Sequence, residues 1–327
     1  RKRLKELFNV NSEEEIIFTE NCTMALNTVI FGLLSEGDHV LISSMEHNSV
    51  TRPLESLKDK GVTYSTFDYS YDDNETVDNV RNLIKPETKL VICTHASNVF
   101  GFRFPIERIC ALCHAYGILF CVDSAQSAGV FDIDVGTNQY DFVCTSGHKS
   151  LYGPMGTGVL ILNNRNLKPL LYGGTGTESV KKSQPEGLPE KFESGTQNMN
   201  GISGLKAGVD FVKNRGIKNI YNHEYKLAKR LFNGLANNRK VITYNKSFDY
   251  GKVAPVVSFN IDGVYSEDLV AKLNKYGIMT RGGLHCSPLA HTTMNTIENG
   301  TVRVVPGAFN TINDINYLLN VIRKLTN

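Results

Sequence analysis

The 327-residue chain is long enough for one large domain plus a smaller one. Its formal net charge of +2, with 21% charged and 41% hydrophobic residues, is that of an ordinary globular protein and gives no reason to expect nucleic acid or an anionic membrane as a partner. No apolar run approaches the roughly 20 residues of a membrane span, and the N-terminus shows no secretory pattern. Because the chain begins at Arg1 rather than Met and enters a helical pattern at once, an upstream segment is expected before it. The basic run Arg1-Lys2-Arg3 reads as the solvated start of that helix.

In chain order, the first half alternates short apolar strands with helical segments. Arg1–Phe8 is helical and Ile16–Thr19 a strand. Thr23–Leu34 is a helix ending at Gly37. Val40–Ser43, Thr63–Asp68, Leu90–Thr94, Leu119–Asp123, Phe142–Thr145 and Gly158–Leu162 are strands. Ser49–Lys60, Val77–Ile84 and Ile106–Tyr116 are helices between them. This alternation predicts an α/β fold with a mostly parallel sheet covered on both faces, and the near-continuous apolar runs suit strands buried on both sides. Residues 171–200 are rich in Gly, Pro, Ser and Thr, which predicts a long irregular functional or interface loop. Helices follow at about Gly204–Lys213 and Ile217–Leu235. The remainder reads as strand Pro255–Ile261, helix Ser266–Tyr276, strand Ile278–Arg281, strand Thr301–Val305 and helix Thr311–Leu325. The expected division is a large domain over residues 1–205 and a smaller α+β domain over 206–327.

Seven cysteines are present: Cys22, Cys93, Cys110, Cys113, Cys121, Cys144 and Cys286. Most lie in apolar runs, which suits free core thiols in a reducing cytoplasm better than a disulfide framework. Cys110-Ala-Leu-Cys113-His114 has the spacing of a c-type haem attachment, but it sits in a helical pattern and reads as two cysteines one turn apart. Cys286 differs from the rest, lying in a polar, glycine-rich setting with Gly282, Gly283, His285, Ser287 and Pro288. A reactive cysteine needs such a partly exposed, mobile place.

Ligands of open parallel sheets bind beyond the carboxyl ends of the strands, where Thr23, His47, Asn98, Asp123 and Ser146-Gly147-His148-Lys149 all fall. Lys149 follows a strand and precedes the run Gly153-Pro-Met-Gly156-Thr-Gly158. A lysine crowded there can form a Schiff base, although alone it says little, since most lysines are surface charges. Asp123 ends the strand before it. Pyridoxal phosphate chemistry needs such a carboxylate against the pyridine nitrogen to keep the ring an electron sink; capping of a following helix is the alternative. The helix start at Thr23 and Met24 is a candidate phosphate site, and plain capping by Asn21 or Thr23 is the alternative. His47 can stack on a cofactor ring or simply cap a helix. Gln126 and Asn98 are candidates for the phenolic oxygen of the cofactor, and Ser146 and His148 for its phosphate.

Together these residues resemble the cysteine desulfurases of the class V, fold-type I aminotransferase family, and the resemblance spans nearly the whole chain. It is carried by Val122-Asp123-Ser124-Ala125-Gln126, Ser146-Gly147-His148-Lys149, Phe192-Glu193-Ser194-Gly195-Thr196, Arg281-Gly-Gly-Leu-His285-Cys286 and the segment from Thr301 to Thr311. The short cysteine loop is similar to that of the SufS-like branch. One departure is Met24, where the family often has an acidic residue. The resemblance implies that Lys149 holds pyridoxal phosphate and acts as acid and base, with Asp123 on the pyridine nitrogen and His47 stacked on the ring. Thr196 would reach the phosphate of the other subunit of a homodimer. Arg303, assisted by Arg281, would clamp the substrate carboxylate. Cys286 would take sulfur from L-cysteine as a persulfide and leave alanine, with His285 lowering its pKa. A sulfur-acceptor protein, a place in iron–sulfur cluster assembly, a cytoplasmic location and no metal are implied as well. Selenocysteine lyase, or another class V enzyme in which Cys286 is incidental, is the competing reading; a scaffold that binds without turnover is opposed by the retention of both Lys149 and Asp123.

Overall fold

The computed structural model describes residues 1–326, which form two compact units. The first contains Arg1–Ser43, Ser49–His95 and Phe104–Ile217. The second contains Ser44–Asn48, Ala96–Arg103 and the chain from Lys218 on. Two short excursions after strands of the first unit therefore belong to the second.

The first unit runs α1 (Lys2–Phe8), β1 (Ile16–Thr19), α2 (Cys22–Leu33), β2 (His39–Ser43), α3 (Asn48–Leu57), β3 (Thr63–Phe67), α4 (Asp73–Leu83), β4 (Thr88–Thr94), α5 (Ile106–Ala115), β5 (Leu119–Asp123), α6 (Val135–Asn138), β6 (Phe142–Ser146), β7 (Gly158–Leu162) and α7 (Met199–Arg215). Its seven strands lie in the order β1-β7-β6-β5-β4-β2-β3. The pairs from β6 through β3 are parallel, and β7 is antiparallel to both β6 and β1. The α/β expectation is met, including the complete burial of β2, β6 and β7 that their apolar runs require. Helix α2 shows the reason for its position. Ala25, Leu26, Val29, Ile30 and Leu33 recur at helical spacing on one buried stripe, and the Asn21 side chain accepts the Met24 N–H at 2.9 Å to start it.

The second unit runs α8 (Ile217–Ala236), β8 (Val241–Thr243), β9 (Val257–Ile261), α9 (Ser266–Asn274), α10 (Pro288–Thr293), β10 (Val302–Val304) and α11 (Ile312–Thr326). An antiparallel sheet, β10-β9-β8, packs with α8, α9 and α11 around Leu231, Leu235, Phe248, Phe259, Leu273 and Leu318. The strand expected at 278–281 is not formed. Gly277, at φ 71°, and Gly283, at φ 94°, break the chain on either side, and a single bridge between Arg281 and Arg303 is all that remains. Helix α10 begins with Pro at its first position, and β8 is only three residues long; both lack the periodicity that finds longer elements. Helix α7 starts five residues earlier than its apolar pattern indicates, because Asn198 caps the Gly201 N–H at 2.9 Å. Among the described residues no helix is long and apolar enough to cross a membrane, and no three or more His, Cys, Asp or Glu side chains are arranged to hold a metal ion.

Candidate active site

In the first unit Asp123 ends β5 with its side chain only 4% exposed. The residues after it form turns, so the alternative reading of Asp123 as the cap of a following helix does not hold. Its Oδ1 accepts the Ala125 N–H at 2.9 Å and the Cys22 thiol at 3.5 Å. Burial, then the Asp123 carboxylate, push the Cys22 thiol well above its ordinary pKa while Lys149 pulls it down, so Cys22 stays an S–H donor within the field of both residues. No Lys or Arg pairs with Asp123 among the described residues. A buried carboxyl group served only by neutral donors leaves a place for a cationic partner, and a protonated pyridine nitrogen is one. The donor set thus fits pyridoxal phosphate.

Lys149, half-buried, lies in the turn after β6. The turn is closed by Tyr152 N–H on the Lys149 carbonyl and Gly153 N–H on the Gly147 carbonyl, at 2.9 and 2.8 Å. Two glycines let neighbouring segments press on it. A Cβ at Gly129 would lie 2.1 Å from the Ser150 carbonyl oxygen, and one at Gly208 2.2 Å from that of Leu151. The lysine is thereby held by close backbone packing on two sides rather than by a flexible loop.

At the start of α2 the Met24 amide is occupied by Asn21, which leaves the amides of Cys22 and Thr23 as the first two of the helix with no carbonyl behind them. Thr23 is exposed, Ser146 is buried at the end of β6, and His148 is exposed beside the lysine. Burial, with Lys149 next, holds the His148 imidazole below its ordinary pKa, so it offers a hydrogen bond rather than a charge. Gln126 is half-buried in the turn that follows Asp123, and Thr196 is exposed in the irregular segment before α7.

The second unit gathers the other expected residues. His47, half-buried, directly precedes Asn48, whose N–H donates to the Cys286 carbonyl at 2.8 Å. Six cysteines are buried, and Cys286 is exposed. Arg281 Nη2 stands 4.0 Å from Cys286 Sγ. Arg303 is half-buried, and burial, then the charge of Arg281, push its guanidinium down to about 10 while Cys286 opposes them. Arg281 therefore adjoins the exposed sulfur and Arg303 lies within its electrostatic reach, with no carboxylate paired to either among the described residues. The grouping favours an anion.

His285 and Cys286 are both left-handed, at φ 50° and 58°, which costs about 1–2 kcal/mol for each side-chain-bearing residue. His285 is not the charge source expected for Cys286. Its buried Nε2 faces the Thr301 carbonyl at 2.9 Å, which requires the proton on that nitrogen, and burial followed by Arg303 pushes its pKa down to about 3. It is neutral, and the positive charge beside the sulfur comes from Arg281. Asn98 was expected at a phenolic oxygen. Its Nδ2 donates to the His285 carbonyl at 2.9 Å, and its Oδ1 accepts Ser287 Oγ at 2.7 Å. Cys22 and Asn48 were not singled out from the sequence, and Ser287 only as part of the polar setting of Cys286; each adjoins a candidate residue, but each makes a bond to a partner distant in the chain.

A family model described as aminotransferase class-V matches residues 1–318. A probable cysteine desulfurase of Pyrococcus abyssi is 34% identical, over 97% of this chain and 80% of that protein. The apo structure of a cysteine desulfurase from Thermococcus onnurineus NA1 superposes with a TM-score of 0.92 at 32% identity, covering 99% of this chain and 82% of that one. The Escherichia coli cysteine desulfurase CsdA (S-sulfonic acid) gives 0.90 at 27% identity, with 99% and 82% covered.

Proposed function

Since the chain belongs to the class V aminotransferase family, whose members share the fold-type I architecture, we propose that it is a pyridoxal phosphate-dependent cysteine desulfurase converting L-cysteine to L-alanine with sulfur carried on Cys286. The observation that carries this reading is the exposed Cys286 thiol set beside the Arg281 guanidinium, which no carboxylate neutralises among the described residues.

When bound, pyridoxal phosphate supplies an electron sink that weakens the bond between Cβ and sulfur of an attached cysteine. Lys149 Nζ would hold the cofactor and would serve as the acid and base for protons at the substrate carbon. Asp123 keeps the pyridine nitrogen protonated, and its burial keeps water from competing for that charge. The first amides of α2, with the Thr23 and Ser146 hydroxyls and His148, hold the phosphate; the Met24 backbone, already engaged by Asn21, contributes through the helix rather than by its own N–H. Gln126 would serve the phenolic oxygen, and His47 would stack on the ring. Arg303 clamps the substrate carboxylate, with Arg281 beside it. Cys286 then attacks the substrate sulfur. A bond forms between the two sulfurs as the one to Cβ breaks, and the carbon skeleton takes up protons and leaves as alanine.

The reading includes a homodimer in which Thr196 reaches the partner's phosphate site, an acceptor that takes the persulfide sulfur, and a cytoplasmic setting. It is supported by the exposure of Thr196 and by the six buried free thiols. The test is product analysis with purified, cofactor-loaded protein. Alanine formed from L-cysteine without amino transfer to a keto acid supports it. Amino transfer without sulfur release sinks it, and a strong preference for selenocysteine moves it to the lyase.

A further inference from the structure

The backbone at His285 and Cys286 takes two successive left-handed conformations without glycine. Such a kink persists only where its surroundings hold it. The residue that does most of this is Asn98, 8% exposed, on the excursion Ala96–Arg103 of the second unit. Its amide nitrogen donates to the carbonyl of His285, its amide oxygen accepts the hydroxyl of the fully buried Ser287, and its own carbonyl accepts Arg303 Nη1 at 2.6 Å. One side chain thus grips the residue before Cys286 and the residue after it, while its backbone holds the guanidinium. The Asn48 N–H on the Cys286 carbonyl completes the hold. The excursion is itself anchored, since Ser258 Oγ donates to Val99 O at 2.5 Å, Asn245 Nδ2 to Phe100 O at 3.0 Å and Ala254 N to Gly101 O at 2.8 Å.

We infer that Asn98 is a positioning residue for the cysteine loop, fixing Cys286 in its kink and tying that kink to Arg303, so that the anion clamp and the nucleophile are set by one group. The inference rests on the reading of Cys286 as the sulfur carrier. Asn98 itself forms no bond to sulfur. It restricts the loop to one presentation of Sγ.

Hydrogen exchange at the Ser287 amide, which donates to the Leu284 carbonyl at 2.9 Å, reports opening of this loop without any turnover. Ser287→Ala removes one bond to Asn98 and should raise that exchange about threefold to tenfold; Asn98→Ala removes two side-chain bonds and should raise it further, about tenfold or more. Both variants of the loaded enzyme should lose kcat for alanine formation in the same order. Ser287→Ala should keep the visible absorbance of the bound cofactor unchanged. Because Ser287→Ala is the milder change, it decides the matter if Asn98→Ala fails to fold. Unchanged exchange in Ser287→Ala overturns the inference, as does a spectral change in Asn98→Ala without faster exchange, which would place that side chain on the cofactor. Failure of the sulfur-carrier reading of Cys286 would show separately, as sulfur transfer that survives Cys286→Ala.

Discussion

The lysine turn of the first unit and the cysteine loop of the second solve opposite problems. Lys149 sits at the end of a buried strand, pressed by glycine-permitted backbone contacts at Gly129 and Gly208, and near it the Asp123 carboxylate is buried with neutral donors. Cys286 is exposed on a kinked loop held by side-chain hydrogen bonds, with cations beside it. Packing fixes the first, and a few polar contacts restrain the second. A cofactor that stays through many turnovers suits a seat fixed by packing, whereas a sulfur nucleophile suits an exposed position held in one presentation by a few polar contacts.

Substitutions can break this contrast, beginning with the largest effect. Lys149→Ala should abolish the visible absorbance of the bound cofactor and lower turnover by about 10²–10⁴-fold or more; an unchanged spectrum would put the attachment elsewhere. Asp123→Asn should keep the fold yet lower turnover by about 10²-fold or more, measured as alanine formation, because a neutral amide no longer holds the pyridine proton. Arg303→Lys should raise KM for L-cysteine by about tenfold with a smaller change in kcat, since an ammonium cannot make the bidentate pair with a carboxylate. The smallest effect concerns pH. His285 is neutral in the fold because its pKa is pushed from 6.5 down to about 3, so the stability it contributes is complete above about 6.5 and is lost as pH falls toward 3. His285→Gln should flatten the acid side of the denaturation curve in that window; a curve identical to that of the parent chain would contradict the buried neutral assignment. His291, whose ring lies 5.8 Å from His285 and whose pKa burial also lowers, leaves part of the slope in place.

The first unit was largely legible in the sequence because its strands are continuous apolar runs and its helices carry one buried stripe. The placement of Asp123 and Lys149 at strand ends was legible for the same reason, since each comes at the end of such a run. The second unit was read less completely. Its three-residue β8 and six-residue α10 are too short for periodicity to register, and the expected strand at 278–281 had an apolar start that the flanking glycines overrode. The setting of Cys286 was visible in composition as glycines and polar residues. Its electrostatics were not, because the neutrality of His285 depends on burial against Thr301 and Arg303, and the hold on the loop depends on Asn98, some 187 residues earlier in the chain. Contacts between distant segments leave no local signature.

The most direct test of the central claim is the mass of the loaded protein after brief exposure to L-cysteine, with and without Cys286→Ala. The account predicts one added sulfur atom, mapped to Cys286, in the parent chain. It predicts none in Cys286→Ala, which should still bind cofactor and substrate but form alanine far more slowly. An added sulfur on another cysteine, or undiminished persulfide transfer in Cys286→Ala, would contradict it.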